Sequence, residues 1–388
     1  MSRDTRNSMG AHLAAVAAVL LMTAPALAQE TIKIGFFAPI TGPAAADGAS
    51  AQHAVELGVK EVNASGGIKG KKVELIVYDD RFSPQEAVAI ANKLIEKDQV
   101  AGVVSGSYSG PTRVTAPIFA KAGVPMVAGY AVHPDVTKAG ESNFRNGFLG
   151  EVEGGAAGEY AVKVLKSKTP AVIYMDNDFG REISAGFIKR AEKLGATIVA
   201  RQVYKFPGEK DFRPFLTRIK EAKPDLIFAA GYYNEAALIV RQAKELGITV
   251  QILGEEGFDS PKFIELAGKD AEGVIIATNL DRDDPRPVVQ NFLKNYKQAY
   301  NYDPDMVGAS SYDAFKILVA AIEKAGTDRK AVIKALMETR DYNGLTGKIS
   351  RFLKGEVVKP VQFQIVKEGK FRRHGVVDNP EVITPPTP

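Results

Sequence analysis

The sequence predicts an α/β protein whose mainly parallel sheets are covered by helices and divided between two lobes. Short apolar runs rich in β-branched residues alternate with segments of helical periodicity along almost the whole chain. This alternation is typical of βαβ units and parallel sheets. About 360 residues follow the N-terminal segment, which is more than one hydrophobic core usually organises. Two sheets in two lobes are therefore expected.

The strands and helices predicted before residue 279 have clear boundaries. The strands are predicted at 32–38, 72–79, 100–106, 125–128, 171–174, 197–203, 226–230, 251–254 and 274–278. The helices are predicted at 51–63, 84–96, 180–194, 212–222 and 235–246. Near residues 143–155 the chain becomes glycine-rich and polar, and the alternation of strands and helices changes character.

The last third of the chain has a different order of elements. A polar, proline-marked connector at 279–287 is followed by three helices and then by three strands. The helices are predicted at 288–300, 308–325 and 329–339, and the strands at 348–351, 361–366 and 370–374. The end of the chain, 379–388, reads as a disordered tail because it is polar and proline-rich.

The N-terminus has the pattern of a secretory signal peptide. Arg3 and Arg6 precede an apolar stretch at 13–22, and Ala26-Leu27-Ala28 supplies small residues for cleavage. A membrane anchor is the alternative, but the apolar stretch is too short to span a bilayer. We expect cleavage after Ala28 and a periplasmic mature protein.

Composition excludes several classes of function. The chain has no cysteine, which rules out disulfides and thiolate catalysis. Its 50 Lys and Arg residues are interspersed with 46 Asp and Glu residues, so no nucleic-acid partner is expected. The segment 106–110 has Tyr108, not serine, at its centre, so it is no nucleophile elbow. No catalytic residue, metal ligand or cofactor site can be assigned, and the chain is predicted not to be an enzyme.

Polar residues follow four of the predicted strands. They are Ser109 after 100–106, the segment 129–132 after 125–128, Tyr232 after 226–230, and Glu256 after 251–254. Ligands of open α/β sheets bind at such strand ends, where helix N-termini present free N–H groups. Ser109 could cap the following helix or contact a ligand, and its position alone does not decide between them.

Five motifs, in order, give the chain a family resemblance. They are IGFFAPITGP at 34–43, NASGGIKG at 63–70, YDD at 78–80, GEKDF at 208–212 and GYYNE at 231–235. With these motifs the chain resembles the leucine/isoleucine/valine-binding proteins, the type I periplasmic binding proteins of branched-chain amino-acid ABC transporters. The resemblance covers essentially all of the chain after residue 28.

The resemblance implies two Rossmann-like lobes joined by three crossing strands, with a central ligand cleft. The crossings are expected near 145–149, 276–279 and 345–349. Residues 29–146 and 279–345 would then form the N-terminal lobe, and residues 147–278 and 346–378 the C-terminal lobe. A monomer that closes on a small-molecule ligand and delivers it to a membrane ABC permease is the implied mode of action.

The resemblance also implies a head-group site for an amino acid. Ser109 matches the serine that binds the ligand carboxylate, and Ala131 lies in the loop that offers main-chain groups. Tyr232 matches a tyrosine that closes on the head group, and Glu256 matches the acid that pairs with the ligand ammonium.

Three pocket positions depart from the family pattern. Val132 replaces a threonine, Tyr130 replaces a small residue, and Phe179 stands where tyrosine is common. A hydrophobic or branched-chain-type amino acid is the expected ligand. An aromatic carboxylate, urea or a short amide is the alternative. A ligand-sensing regulator or a secreted α/β hydrolase on the same scaffold is disfavoured, because the sequence contains no fused DNA-binding segment and no catalytic motif.

Overall fold

The structure of the protein is a computed structural model that describes residues 30–386. The predicted signal peptide, its cleavage site and residues 387–388 of the predicted tail lie outside the described residues. Within residues 30–386, no helix is long and apolar enough to cross a membrane.

Strands and helices alternate through most of the described chain. The strands are β1 (Ile32–Ala38), β2 (Val73–Asp79), β3 (Gly102–Ser105), β4 (Met126–Ala128), β5 (Asn143–Arg145), β6 (Pro170–Met175), β7 (Ala200–Tyr204), β8 (Leu226–Ala230), β9 (Gln251–Gly254), β10 (Ile275–Thr278), β11 (Arg340–Gly344), β12 (Gly347–Leu353), β13 (Glu356–Val358), β14 (Val361–Lys367) and β15 (Lys370–Val377). The helices are α1 (Ala45–Ala64), α2 (Pro84–Glu96), α3 (Ser109–Ala122), α4 (Asp135–Lys138), α5 (Gly150–Glu159), α6 (Asp178–Lys193), α7 (Arg213–Glu221), α8 (Tyr233–Glu245), α9 (Pro261–Ala267), α10 (Pro287–Tyr300), α11 (Met306–Ala325), α12 (Arg329–Met337) and α13 (Pro380–Ile383).

The strands form two large sheets and one small sheet. The N-terminal lobe contains a parallel sheet in the order β2-β1-β3-β4-β5. The C-terminal lobe contains the order β15-β14-β10-β9-β8-β6-β7, in which only β14 and β15 are antiparallel to their neighbours. Central strands are buried on both faces, as β8 is along its whole length, which explains their continuous apolar sequence. The predicted two-lobed α/β fold is confirmed.

The chain passes between the two large sheets three times. It leaves the N-terminal sheet after β5 and returns to that lobe after β10. The return is shown by helix α11, whose Phe315 packs against α1 at Gly58. The last passage joins β13 to β14.

This last passage lies later than the predicted crossing at 345–349. The small sheet β11-β12-β13 stays with the N-terminal lobe, because the N–H groups of Leu345 and Thr346 donate to Asp313 of α11 at 3.1 and 2.8 Å. The Arg145 N–H of β5 also donates to the carbonyl of Gly355, at 2.9 Å.

The glycine-rich segment begins with strand β5 and continues, from Gly150, into helix α5, which the sequence did not predict. Helix α5 packs against α6 at very short range. A Cβ atom at Gly154 would lie 2.0 Å from the carbonyl oxygen of Ile183, and one at Gly158 would lie 2.7 Å from that of Phe187. The glycines of α5 therefore serve close helix packing, which outweighs their poor helix propensity.

The described part of the predicted disordered tail is also ordered. Asn379 caps the short helix α13 by accepting from the Glu381 N–H at 3.1 Å. The Glu381 carboxylate pairs with Arg190 of α6 at 3.1 Å, and Val382 is buried. These contacts with a distant helix hold a segment whose local composition favours disorder.

Candidate functional site

Ser109 joins two loops at the strand ends of the N-terminal lobe. It is the first residue of α3, and the N-cap of that helix is Tyr108, so of the two roles left open for Ser109 it does not have the capping one. The Ser109 hydroxyl instead accepts from the Val132 N–H at 3.1 Å. The loop after β3 is thereby tied to the loop after β4, and both Ser109 and Val132 are buried.

The loop after β4 is held from two further directions. The Tyr130 hydroxyl donates to the carbonyl of Gly106 at 2.7 Å. The guanidinium of Arg145, which is fully buried, donates to the carbonyls of Ala131 and His133. These hydrogen bonds use the side chain of Tyr130 and the backbone carbonyls of the loop, but none of its backbone N–H groups. The loop is therefore held in one conformation before a ligand binds.

Six aromatic rings meet between the lobes and are here called the aromatic cluster. The cluster consists of Phe82, Tyr108 and Tyr130 from the N-terminal lobe, and Phe179, Phe206 and Tyr232 from the C-terminal lobe. The centroids of the Tyr108 and Tyr232 rings lie 4.4 Å apart, and those of Phe179 and Tyr232 lie 5.2 Å apart. The cluster brings three of the predicted site residues together and closes the cleft with apolar and phenolic surface.

Glu256 belongs to a pair of buried carboxylates. Its own N–H donates to one oxygen of Glu153 at 2.9 Å, and its Oε2 accepts from the amide of Asn279 at 2.9 Å. Oε1 of Glu256 and Oε2 of Glu153 are buried without a hydrogen-bond partner. Burying a polar atom without a hydrogen-bond partner costs free energy. The two oxygens are therefore candidates for contact with a ligand that carries hydrogen-bond donors.

Burial controls the charge of this carboxylate pair. Desolvation raises the pKa of Glu153 to about 8, and desolvation together with the charge of Glu153 raises the pKa of Glu256 well above its usual range. Lys359, buried nearby, donates to the Thr346 hydroxyl at 2.9 Å, and burial lowers its pKa to about 7. The site thus holds more buried acid than buried base.

A further buried acid lies on the N-terminal lobe, at the first turn of α1. The Tyr108 hydroxyl donates to Oδ2 of Asp47, and Oδ1 has no partner. Burial and the neighbouring carboxyl of Asp305 raise the pKa of Asp47 well above its usual range.

One ion pair outside the aromatic cluster and one ring contact at its border also link the lobes. The Arg113 guanidinium of α3 pairs with Asp178 of α6 at 2.5 Å. The rings of Phe82 and Phe206 meet edge to face at 5.8 Å. The structure therefore describes the lobes in mutual contact across the cleft.

All seven predicted site residues are buried. Six of them belong to the aromatic cluster or to the two hydrogen-bonded loops of the N-terminal lobe. Ser109, Tyr130, Ala131 and Val132 lie in the two linked N-terminal loops. Phe179 and Tyr232 face them within the cluster, whereas Glu256 belongs to the separate carboxylate pair.

Sequence reasoning missed five residues of the site. They are Asp47, Phe82, Tyr108, Glu153 and Phe206. Tyr108 could have been found, because it directly precedes Ser109 at a strand end. Glu153 carried no such signal, because the helix that presents it was not predicted.

A cavity of about 910 Å³ lies elsewhere and is lined by residues of both lobes, among them Glu182, Phe352 and Glu356. None of the seven predicted site residues lines this cavity. Within residues 30–386, no group of three or more His, Cys, Asp or Glu side chains is arranged to hold a metal ion.

Comparison with known proteins decides the family. The sequence profile of the periplasmic binding proteins matches residues 31–370. The chain belongs to the periplasmic binding protein family. A Leu/Ile/Val-binding protein of Rhizobium johnstonii is 33% identical over 327 residues, which cover 84% of this chain and 88% of that protein.

Solved structures of this family share the fold. A leucine-binding protein from Thermotoga maritima superposes with a TM-score of 0.83 at 31% identity, covering 90% of this chain and 100% of that chain. A branched-chain amino acid transporter substrate-binding protein from Streptococcus pneumoniae, in complex with isoleucine, has a TM-score of 0.83 at 30% identity and covers 90% of this chain and 99% of that chain. Both are type I periplasmic binding proteins of two lobes, as this chain is.

Proposed function

We propose that the protein is the periplasmic substrate-binding component of an ABC transporter and captures a hydrophobic, branched-chain-type amino acid. The observation that carries the proposal is the buried carboxylate pair, in which Glu256 and Glu153 each keep one unpartnered oxygen. A ligand ammonium supplies both the charge and the N–H donors that these oxygens lack. The relatives named above, a Leu/Ile/Val-binding protein and a substrate-binding protein in complex with isoleucine, support the same ligand class.

The two lobes divide the recognition of the head group. Ser109 lies in the first turn of α3, where unpaired amides and the helix dipole favour the ligand carboxylate. Glu256 and Tyr232 act from the C-terminal lobe. A zwitterion would therefore bridge the lobes and favour the closed form, whereas a ligand with one charge would engage one side.

The aromatic cluster supports a second candidate on the same scaffold. Tyr130, Phe179 and Tyr232 provide flat surface that suits an aromatic carboxylate, and their presence leaves less room for a branched side chain. Urea or a short amide would fit a cleft reduced in this way. The unpaired acid oxygens suit a ligand with N–H donors better than a plain carboxylate, because a carboxylate brings only acceptors.

Calorimetry with leucine, isoleucine, valine, benzoate, acetamide and urea tests the proposal. At least one of the three amino acids should bind more tightly than the other compounds. Glu256→Gln should weaken its binding by about 1.5–3 kcal/mol, or about 10- to 150-fold, since a charge-assisted hydrogen bond is lost. Glu265→Gln, an exposed charge change on α9, is the control. Unchanged affinity in Glu256→Gln would refute the head-group assignment.

The remaining properties are part of the same proposal. The protein acts as a monomer without catalysis, and it delivers its ligand to a membrane permease. Mass spectrometry of periplasmic protein should find Gln29 as the first residue. Incubation with amides or esters should leave them intact, and measurable hydrolysis would favour an enzyme instead.

A further inference from the structure

Asp47 is a buried acid in a protein environment that does not satisfy it. Its side chain lies in the first turn of α1, and the residue is only 3% exposed. The Tyr108 hydroxyl donates to Oδ2, while Oδ1 has no hydrogen-bond partner. A buried carboxyl oxygen without a donor is destabilising, so its retention calls for a partner that arrives from outside.

Two further phenolic rings lie against Tyr108, the residue that donates its hydroxyl to Asp47. The Tyr108 ring meets the Tyr130 ring edge to face, with centroids 5.5 Å apart, and lies 4.4 Å from the Tyr232 ring of the opposite lobe. The faces of such rings attract cations, most strongly where water is excluded. A carboxyl beside several buried rings is the chemistry that recognises an ammonium group.

The charges that act on Asp47 come from acids. Asp305 and Asp259 both raise its pKa. Arg282 already pairs with Asp259, and Asp305 already accepts from Ser50 and from the Gly308 N–H. Glu256 differs, because Lys359 and Arg145 both lower its pKa. Asp47 therefore has the greater need of an external cation.

We propose that Asp47, with the rings of Tyr108 and Tyr232, forms a second subsite in the cleft that binds an ammonium group. The subsite rests on the proposed amino-acid head-group site. It extends the proposed specificity to amino acids whose aliphatic side chain ends in an ammonium. The α-ammonium occupies the carboxylate pair at Glu256, and the distal ammonium occupies Asp47.

Binding of a cation at Asp47 is coupled to proton release. Burial and the carboxyl of Asp305 raise the pKa of Asp47, which favours the protonated carboxyl when the subsite is empty. The surrounding titratable groups are Tyr108, Tyr130, Tyr232, Tyr233, Asp259 and Asp305, with Arg282 paired to Asp259. An incoming ammonium favours the ionised carboxylate, and the displaced proton passes to the buffer.

Lysine and norleucine are the matched probes, because their carbon chains are alike and only lysine carries the distal ammonium. Calorimetry on the wild-type protein should show tighter binding of lysine, with a heat that varies with buffer ionisation. Asp47→Asn should weaken lysine binding at least about tenfold and abolish that buffer dependence, while norleucine binding changes less than about threefold. Equal weakening of both ligands, or tighter binding of norleucine by the wild type, would overturn the subsite.

Two further measurements separate this subsite from the proposed function. n-Butylammonium has no amino-acid head group, so its binding to the wild type and its loss in Asp47→Asn test the subsite alone. Absence of both lysine and n-butylammonium binding, with leucine still bound, refutes the subsite and leaves the proposed function standing. Asp135→Asn on α4, an exposed acid, is the control and should change nothing. If Asp47→Asn does not fold, Tyr108→Leu should reduce the preference for lysine at least about threefold, and an unchanged preference refutes the subsite.

Discussion

Replacing Arg145 with methionine should destabilise the protein strongly, because this cation is fully buried at the junction between β5 and the ligand loops. Its guanidinium donates to the carbonyls of Ala131 and His133, and its Nε lies 3.0 Å from the carboxylate of Glu356. The Glu356 side chain is about 10% exposed, so the substitution leaves a nearly buried acid without its cation. Loss of one partner of a buried ion pair costs about 3–5 kcal/mol.

The double variant Arg145→Met with Glu356→Met separates the two parts of this loss. The unpaired acid disappears, so stability should recover by at least about 1 kcal/mol relative to the single variant. The carbonyls of Ala131 and His133 still lack their donor, so a deficit of about 1–3 kcal/mol should remain. Ligand affinity should also fall in both variants, because the loop around Ala131 is no longer fixed.

Urea unfolding followed by circular dichroism measures these free energies, and calorimetry measures the affinity. Glu356→Met alone completes the double-mutant cycle. A loss below about 1 kcal/mol in Arg145→Met would contradict the reasoning, as would losses that are simply additive in the double variant.

Three further predictions concern packing, pH and closure. Gly154→Ala should lose about 1–3 kcal/mol in urea unfolding, since its Cβ would lie 2.0 Å from a carbonyl oxygen, whereas Gly155→Ala, with its nearest atom at 3.7 Å, should be neutral or slightly stabilising. Folding raises the pKa of Glu153 from 4.5 to about 8, so between these pH values the folded state binds more protons than the unfolded state, and the free energy of unfolding should fall as pH rises. Glu153→Gln should reduce this fall, and an unchanged dependence of the unfolding free energy on pH would contradict the assignment. Arg113→Met removes an ion pair between the lobes that is worth at most about 1 kcal/mol, which should favour the open form without ligand. X-ray scattering should then show a larger radius of gyration. Arg201→Met breaks an ion pair within one lobe and should leave the radius of gyration unchanged.

Local pattern was sufficient for the elements whose sequence reflects their own burial. Strands β1, β8 and β9 and helix α2 begin and end at the residues that the sequence predicted. Their periodicity records whether one face or both faces are covered, and that property is visible within a few residues. The loops at Ser109, Ala131, Tyr232 and Glu256 were predicted for the same reason, because each follows a strand of this kind.

Contacts between distant segments decided the rest. Helix α5 exists because α6 approaches its glycines, and the late third passage exists because Asp313 holds the backbone at Leu345 and Thr346. The residues around the ligand site depend on such contacts as well. The pairing of Glu153 with Glu256 and of Asp47 with Tyr108 joins residues 103 and 61 positions apart. Residue type and local spacing determined which strand ends carry polar groups, but only the packing of the two lobes decided which acids were buried without a partner, since desolvation depends on every neighbour in space rather than on neighbours in sequence.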